Sequence, residues 1–352
     1  MKYQITNSLN EFIQALDIVD FDAYTLKASS FTRFKDSKDR HGEKTVAVVE
    51  VGTRIYWGTN HRSGISLVFN PNYQQGKPFT EEDKARYQAY KLIREKAQQT
   101  ELEARTGKMR EIAKRMRHLE SLTFLEDHDL PFQYLWNKGL NPIGKKLCTG
   151  DPREIEAIVR AVYQWNRYTI TDKQGNPTRA HVLIVPMLTN NETLGFQLIT
   201  TDGAKRFISG SIMGYWQSVN RQALERAEVI AIGEGLATML SIEAVCQVPV
   251  IVSFSAGRLP TTTRLIRALY PRTKLMVTGD RDQSQTGQNK ALEAIKGITK
   301  AQALIPQWNA SQEELHPLLK TVKITDWNDY YLATGQLLPP PEGFKDQQFL
   351  RD

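Results

Sequence analysis

Ala227-Glu-Val-Ile-Ala-Ile-Gly-Glu-Gly-Leu-Ala-Thr238 opens a stretch that closes with Lys274-Leu-Met-Val-Thr-Gly-Asp-Arg-Asp282, and each end is a short apolar run stopping at an acid. Val229 to Ile232 is β-branched and nearly continuous, the pattern of a strand buried on both faces. It enters Gly233-Glu234-Gly235, and the spacing predicts a helix from Leu236 to Val245. Val250–Phe254 reads as a second strand, Thr262–Tyr270 as a second helix and Leu275–Thr278 as a third strand. That third strand delivers Asp280 and Asp282. In an open parallel sheet the strand C-termini gather along one edge, where ligands bind. Glu234, Asp280 and Asp282 are therefore expected to converge. Three carboxylates on one edge need a neutralising cation, and hard oxygen donors suit Mg²⁺ or Mn²⁺.

At Glu234-Gly235 and Asp280-Arg281-Asp282 the sequence resembles the Toprim domain of primases, topoisomerases and some nucleases: a strand ending in Glu-Gly, then a later strand ending in Asp-x-Asp. The region before it is similar to plasmid- and phage-type DNA primases. Tyr134-Leu-Trp-Asn-Lys-Gly139 matches a Tyr-Leu-x-x-Lys-Gly segment, and Gln197-Leu-Ile-Thr-Thr-Asp-Gly-Ala-Lys205 matches one running Gln-x-Ile-x-x-Asp-Gly-x-Lys. Thr325-Asp-Trp-Asn-Asp-Tyr330 resembles the family's Asp-Phe-Asn-Asp segment. Asp326 and Asp329 there read either as outer metal ligands or as a helix cap. Gly257-Arg258-Leu259 stands where the family commonly has Gly-Asn-Leu.

Composition sets the outer bounds. A chain of 352 residues holds about two domains. The formal charge of +7 fits a polyanionic partner such as nucleic acid, or ordinary solubility charge. Two cysteines, Cys148 and Cys246, suffice for neither a zinc ribbon nor a disulfide framework; a reducing, cytoplasmic setting is expected. No run approaches the roughly 20 apolar residues of a membrane span.

Working outward, residues 1–79 read as a β-rich N-terminal module with a short helix at Leu9–Leu16. Strand-like runs punctuated by Gly42, Gly52, Gly58 and Gly64 suggest an antiparallel meander. Arg33, Tyr56, Trp57 and Arg62 belong to a series mixing aromatics with bases, which suits either single-stranded DNA or an aromatic core. Residues 80–130 read as a helical connector, capped by Thr80 and charged throughout until Ile112, Met116 and Leu119. Residues 131–226 form an α+β part. His181–Pro186 and Gly195–Ile199 are expected to pair about Asn190-Asn191, and Lys205 and Arg206 follow on a turn. Gly139–Lys146 reads as a basic turn rather than a phosphate loop, lacking the required strand and hydroxyl. Residues 227–335 complete the Toprim-like domain, and 336–352 form a tail.

The expected fold is α/β: a Toprim-type, Rossmann-like parallel-sheet core preceded by an α+β region and a small β-rich module. The resemblance implies a primase or primase-like nucleotidyltransferase of a phage or plasmid. It would make RNA primers from NTPs on single-stranded DNA. Glu234, Asp280 and Asp282, with Asp326 as a further candidate, would serve as metal ligands and catalytic acids; Lys205, Arg206, Gly235 and Arg258 would bind nucleotide or nucleic acid. Such primases often carry a zinc module and a helicase, which this sequence is not expected to supply, so a separate replicative helicase would be a partner. The alternatives are a Toprim-type nuclease and a non-catalytic nucleic-acid-binding protein of replication or host interference.

Overall fold

A computed structural model describes residues 4–26, 31–39, 44–52, 54–73, 81–122, 133–140, 147–208, 210–281, 285–307, 310–321 and 323–335. Asp282, Thr80, most of the basic turn at 139–146 and the tail at 336–352 lie outside them. The chain forms two compact units, Met1–Ala104 and Arg105–Asp352.

In the first unit, β1 (Gln4–Thr6) and α1 (Leu9–Ala15) precede the strands β2 (Thr32–Phe34), β3 (Val46–Gly52), β4 (Ile55–Asn60) and β5 (Ser66–Phe69). The sheet order is β1-β5-β4-β3-β2, an antiparallel meander to which β1 adds in parallel beside β5. Ser8 caps α1 by accepting the Glu11 N–H. Strand alternation then decides the fate of the aromatics. Tyr56, Phe69 and Phe34 face α1 and form the core with Phe12 and Leu16, whereas Trp57 lies on the other face.

Helix α2 (Glu81–Leu122) follows. Its second half is not the solvated connector expected from its charge. Met109, Ile112 and Met116 are fully buried against a second sheet, and their three- and four-residue spacing is that of a single helix face.

The second unit continues with α3 (Gln133–Trp136), β6 (Cys148–Gly150), α4 (Pro152–Tyr163), β7 (Val182–Thr189), β8 (Glu192–Ile199), β9 (Lys205–Phe207), β10 (Trp216–Gln217) and α5 (Arg221–Arg226). Strands β6-β7-β8-β9 form an antiparallel sheet. Asn190 and Asn191, both at positive φ, make the tight hairpin turn between β7 and β8. Asp151 caps α4, and Pro152 occupies its first turn.

The remaining elements are β11 (Val229–Gly233), α6 (Leu236–Cys246), β12 (Val250–Val252), α7 (Leu259–Leu269), β13 (Lys274–Thr278), α8 (Thr286–Ile295), β14 (Ala301–Leu304), α9 (Ala310–Leu315), α10 (Leu318–Thr321) and α11 (Trp327–Thr334). Helix α7 begins three residues before the expected Thr262, because Pro260 fits a helix's first turn. Strand β12 stops before Phe254, which adopts φ +66. The sheet order is β10-β12-β11-β13-β14, with β11 to β14 parallel and β10 an antiparallel edge. Alternation sends Ile230, Ile232, Ile251, Leu275 and Val277 to the face under α7 and α8. It sends Ala231, Val250, Val252 and Met276 to the face under α6 and α11. Both faces are covered, which is why these strands read as unbroken apolar runs.

Candidate active site

Strand β11 is central, and the chain crosses from it first to β12 on one side and then to β13 on the other. Ligands bind at such a reversal, outside the carboxyl ends of the strands. Ile232 pairs with Val277. Glu234 thus follows the end of one strand and Asp280 the end of its neighbour, both half-buried. The Glu234 carbonyl also accepts the Phe254 N–H at 3.0 Å, so the exit of β12 holds the same edge. A bulky residue in the left-handed region is strained, and such strain gathers at functional sites.

The two glycines flanking Glu234 serve different ends. A Cβ on Gly233 would stand 2.2 Å from both Met239 Sδ and Thr278 Oγ1. Gly233 therefore permits strand and helix to pack, and leaves no room there for a phosphate. A Cβ on Gly235 would meet nothing closer than Thr238 Oγ1 at 3.5 Å and Lys205 Nζ at 3.8 Å. Gly235 is the N-cap of α6, with no side-chain cap and no acid in the first turn. The positive end of the helix dipole is left to other partners.

Asp326 caps α11, accepting the Asp329 N–H at 2.8 Å, and also accepts the Thr238 hydroxyl from the first turn of α6. Burial pushes its carboxyl above the usual aspartate value; the Asp329 N–H, Lys138 and Thr238 oppose the shift and the Asp329 charge adds to it. Asp329 accepts from both the N–H and hydroxyl of Thr325 and stands 3.6 Å from Lys138 Nζ. Asn328 donates to the Lys138 carbonyl at 2.9 Å and to Ser241 Oγ at 2.8 Å. Tyr134 completes this cluster, its phenol pushed up to about 12 by burial and then by the two aspartates. Two segments remote in sequence are thereby joined beside α6. The sequence named both segments and gave no sign that they touch.

Other singled-out bases are spent within the protein. Arg206 donates to the Thr171 hydroxyl and the Asp172 and Lys205 carbonyls. Arg258 donates to the Met213 carbonyl at 3.0 Å, and its buried Nε has no partner; burial lowers its pKa. In the first unit Tyr56 is a core residue, 7% exposed, and not a stacking surface. Arg62 pairs with Asp36 at 3.0 Å and Asp39 at 2.6 Å. Trp57 is half-buried in a T-shaped contact with Phe31, and Arg33 is exposed.

Residues 229–336 match the family model described as the Toprim domain. Over that segment the chain is similar to Toprim-domain proteins. It is 28% identical over 162 residues to DNA primase TraC of Escherichia coli, a match covering 42% of this chain and 15% of that one. The matched part is thus a small fraction of the curated relative's length. Among solved structures, a DNA primase domain from Pseudomonas aeruginosa aligns at a TM-score of 0.40 and 13% identity, covering 67% of this chain and 81% of that one. The Aquifex aeolicus primase, comprising zinc-binding and RNA polymerase domains, aligns at 0.40 and 13%, covering 89% and 84%. The similarity to bacterial DNA primases is distant.

Toprim acids are suited to a divalent cation. The described part of this Toprim edge offers the carboxylates of Glu234 and Asp280, donors of the hard oxygen type that Mg²⁺ takes. Among the described residues no group of three His, Cys, Asp or Glu is placed to hold a metal ion. The third expected acid, Asp282, lies outside them. No described helix is long and apolar enough to cross a membrane.

Proposed function

We propose that this protein is a primase-like nucleotidyltransferase that joins ribonucleotides into short primers on single-stranded DNA, in the replication of a phage or plasmid. The observation that carries the reading is the placement of Glu234 and Asp280 at the ends of adjoining parallel strands, beside the uncapped N-terminus of α6. Glu234, Asp280 and Asp282 would hold Mg²⁺ or Mn²⁺, which supplies Lewis-acid polarisation and a template for in-line transfer. Glu234 is the group to take the proton from the attacking hydroxyl. The N–H groups of the first turn of α6, with Lys205 nearby, would receive a phosphate. Asp326 and Thr238 hold that turn in place.

The test is incubation with single-stranded DNA, labelled NTPs and Mg²⁺. New short oligonucleotides are expected, lost in Asp280→Asn and Glu234→Gln while circular dichroism stays unchanged. Shortened DNA instead of new oligomers would overturn the polymerase reading in favour of a nuclease. Binding without chemistry would overturn both.

A further inference from the structure

The segment between α4 and β7 is a tight hairpin. Thr171 bridges Pro177, the Thr178 N–H donates to the Ile170 carbonyl at 3.0 Å, and the Asp172 N–H donates to the Asn176 carbonyl at 2.9 Å. The Asp172 carboxylate accepts the Asn176 N–H at 2.8 Å. Asp172-Lys-Gln-Gly175, with Gly175 at φ +87, has an acid at the first turn position and glycine at the last.

This hairpin is docked on the turn before β9. The Lys173 N–H donates to Asp202 at 2.7 Å. Arg206 donates from Nη2 to the Asp172 carbonyl at 2.8 Å and from Nε to Thr171 Oγ1 at 3.3 Å. Docking brings Lys173 Nζ to 3.5 Å from the place a Cβ on Gly203 would occupy. Two residues further along, Lys205 Nζ approaches Gly235, beside Glu234. The Asp202 carboxylate is already occupied by the Thr200 hydroxyl and the N–H groups of Lys173 and Ala204. Thr200 first, and the Lys173 charge among the further causes, hold the Asp202 carboxyl below its usual value, and the direct bond between the two residues is the one from the Lys173 N–H. One ammonium thus lies by Gly203, and that of Lys205, two residues on, lies by Gly235.

We propose that Lys173 is a phosphate contact for the nucleic-acid strand that passes Lys205, and that Arg206 is a positioning residue holding the Lys173 hairpin in place. The inference rests on the proposed action on single-stranded DNA. A lysine ammonium binds phosphate as a point charge and releases counterions, so its signature is a salt slope.

The experiment is a fluorescence-anisotropy titration of labelled oligothymidylate with the full chain at several salt concentrations. Lys173→Ala and Lys205→Ala should each lower the slope of log affinity against log salt by about one unit, and Lys173→Arg should restore it. Arg206→Lys keeps a charge but loses the fork that reaches Thr171 and Asp172. It should weaken binding as Lys173→Ala does, with no further loss when the two are combined. A folded Lys173→Ala with the wild-type slope, while Lys205→Ala lowers it, would overturn this inference alone. So would an effect of Lys173→Ala on NTP affinity in place of DNA affinity. If the wild-type chain does not bind the oligonucleotide, the proposed function fails, and the inference falls with it.

Discussion

The Lys138 ammonium stands 3.6 Å from the Asp329 carboxylate, and in the same place the Lys138 carbonyl accepts the Asn328 side-chain N–H. One residue thus joins the start of the α+β region to the cap of α11 through both its backbone and its side chain. The Lys138 side chain is 32% exposed, so solvent weakens the ion pair. Asn328, in contrast, is fully buried.

Their substitutions should therefore differ. Asn328→Ala leaves a carbonyl and the Ser241 hydroxyl without their partner and should cost about 1–3 kcal/mol. Lys138→Met should cost about 1 kcal/mol or less. Urea unfolding midpoints measure both, and a larger loss in Lys138→Met would reverse the assignment of the clasp to Asn328.

Gly233 and Gly235 make a second contrast. Gly233→Ala forces a methyl into Met239 and Thr278 and should destabilise by about 1–3 kcal/mol or more. Gly235, at φ −101, accepts a methyl with no contact under 3.5 Å. Gly235→Ala should melt like the wild type yet lose primer synthesis, since its methyl faces Lys205 where a phosphate would enter. Full activity in Gly235→Ala would remove the phosphate from this turn.

In the N-terminal sheet, adjacent aromatics should part company. Tyr56→Ala empties core space next to Phe12 and Phe69 and should cost about 3 kcal/mol or more by thermal or urea unfolding. Trp57→Ala should instead weaken single-stranded DNA binding by about 1–3 kcal/mol, with little change in salt slope and with circular dichroism preserved. Unchanged affinity in a folded Trp57→Ala chain would point this face toward a protein partner.

Asp326 carries a pH signature. Its carboxyl is raised in the folded state, by burial first. The folded chain then favours the protonated form. Stability contributed by this group is complete below the ordinary value of 3.8 and is lost as pH rises through the raised one. Asp326→Asn keeps an acceptor for the Asp329 N–H and removes the buried charge. It should melt higher than the wild type at pH 7, with the gap closing as pH falls. A lower melting temperature at pH 7 would mean that the charge itself is needed.

The central sheet was legible because burial on both faces leaves a plain mark: Val229–Ile232 and Leu275–Thr278 are unbroken apolar runs, and each passes into a turn bearing an acid. The hairpin at Asn190-Asn191 was legible for a similar local reason, since asparagine tolerates positive φ. What stayed hidden depends on direction or on distant contacts. A basic residue carries no sequence sign of whether it faces solvent or a carbonyl, so the bonds of Arg206 to Thr171 and Asp172 could not be foreseen. Tyr56 and Trp57 are neighbours in a strand, and only the register tells which one faces α1. The buried stripe of α2 was visible at Ile112 and Met116, but the surrounding charge outweighed it in the reading.

The sheet β6-β7-β8-β9 shares its hydrophobic cluster with the Toprim strands. Leu183, Val185, Met187 and Ile199 belong to the same apolar body as Ala231, Met239 and Met276, and the edge strand β10 precedes the region matched as Toprim. The Toprim segment is therefore not an interchangeable cassette in this chain. Excised at residue 229, it would expose a raw apolar wall and lose its outermost strand. Recombination or engineering that swaps this segment must carry the preceding sheet along with it.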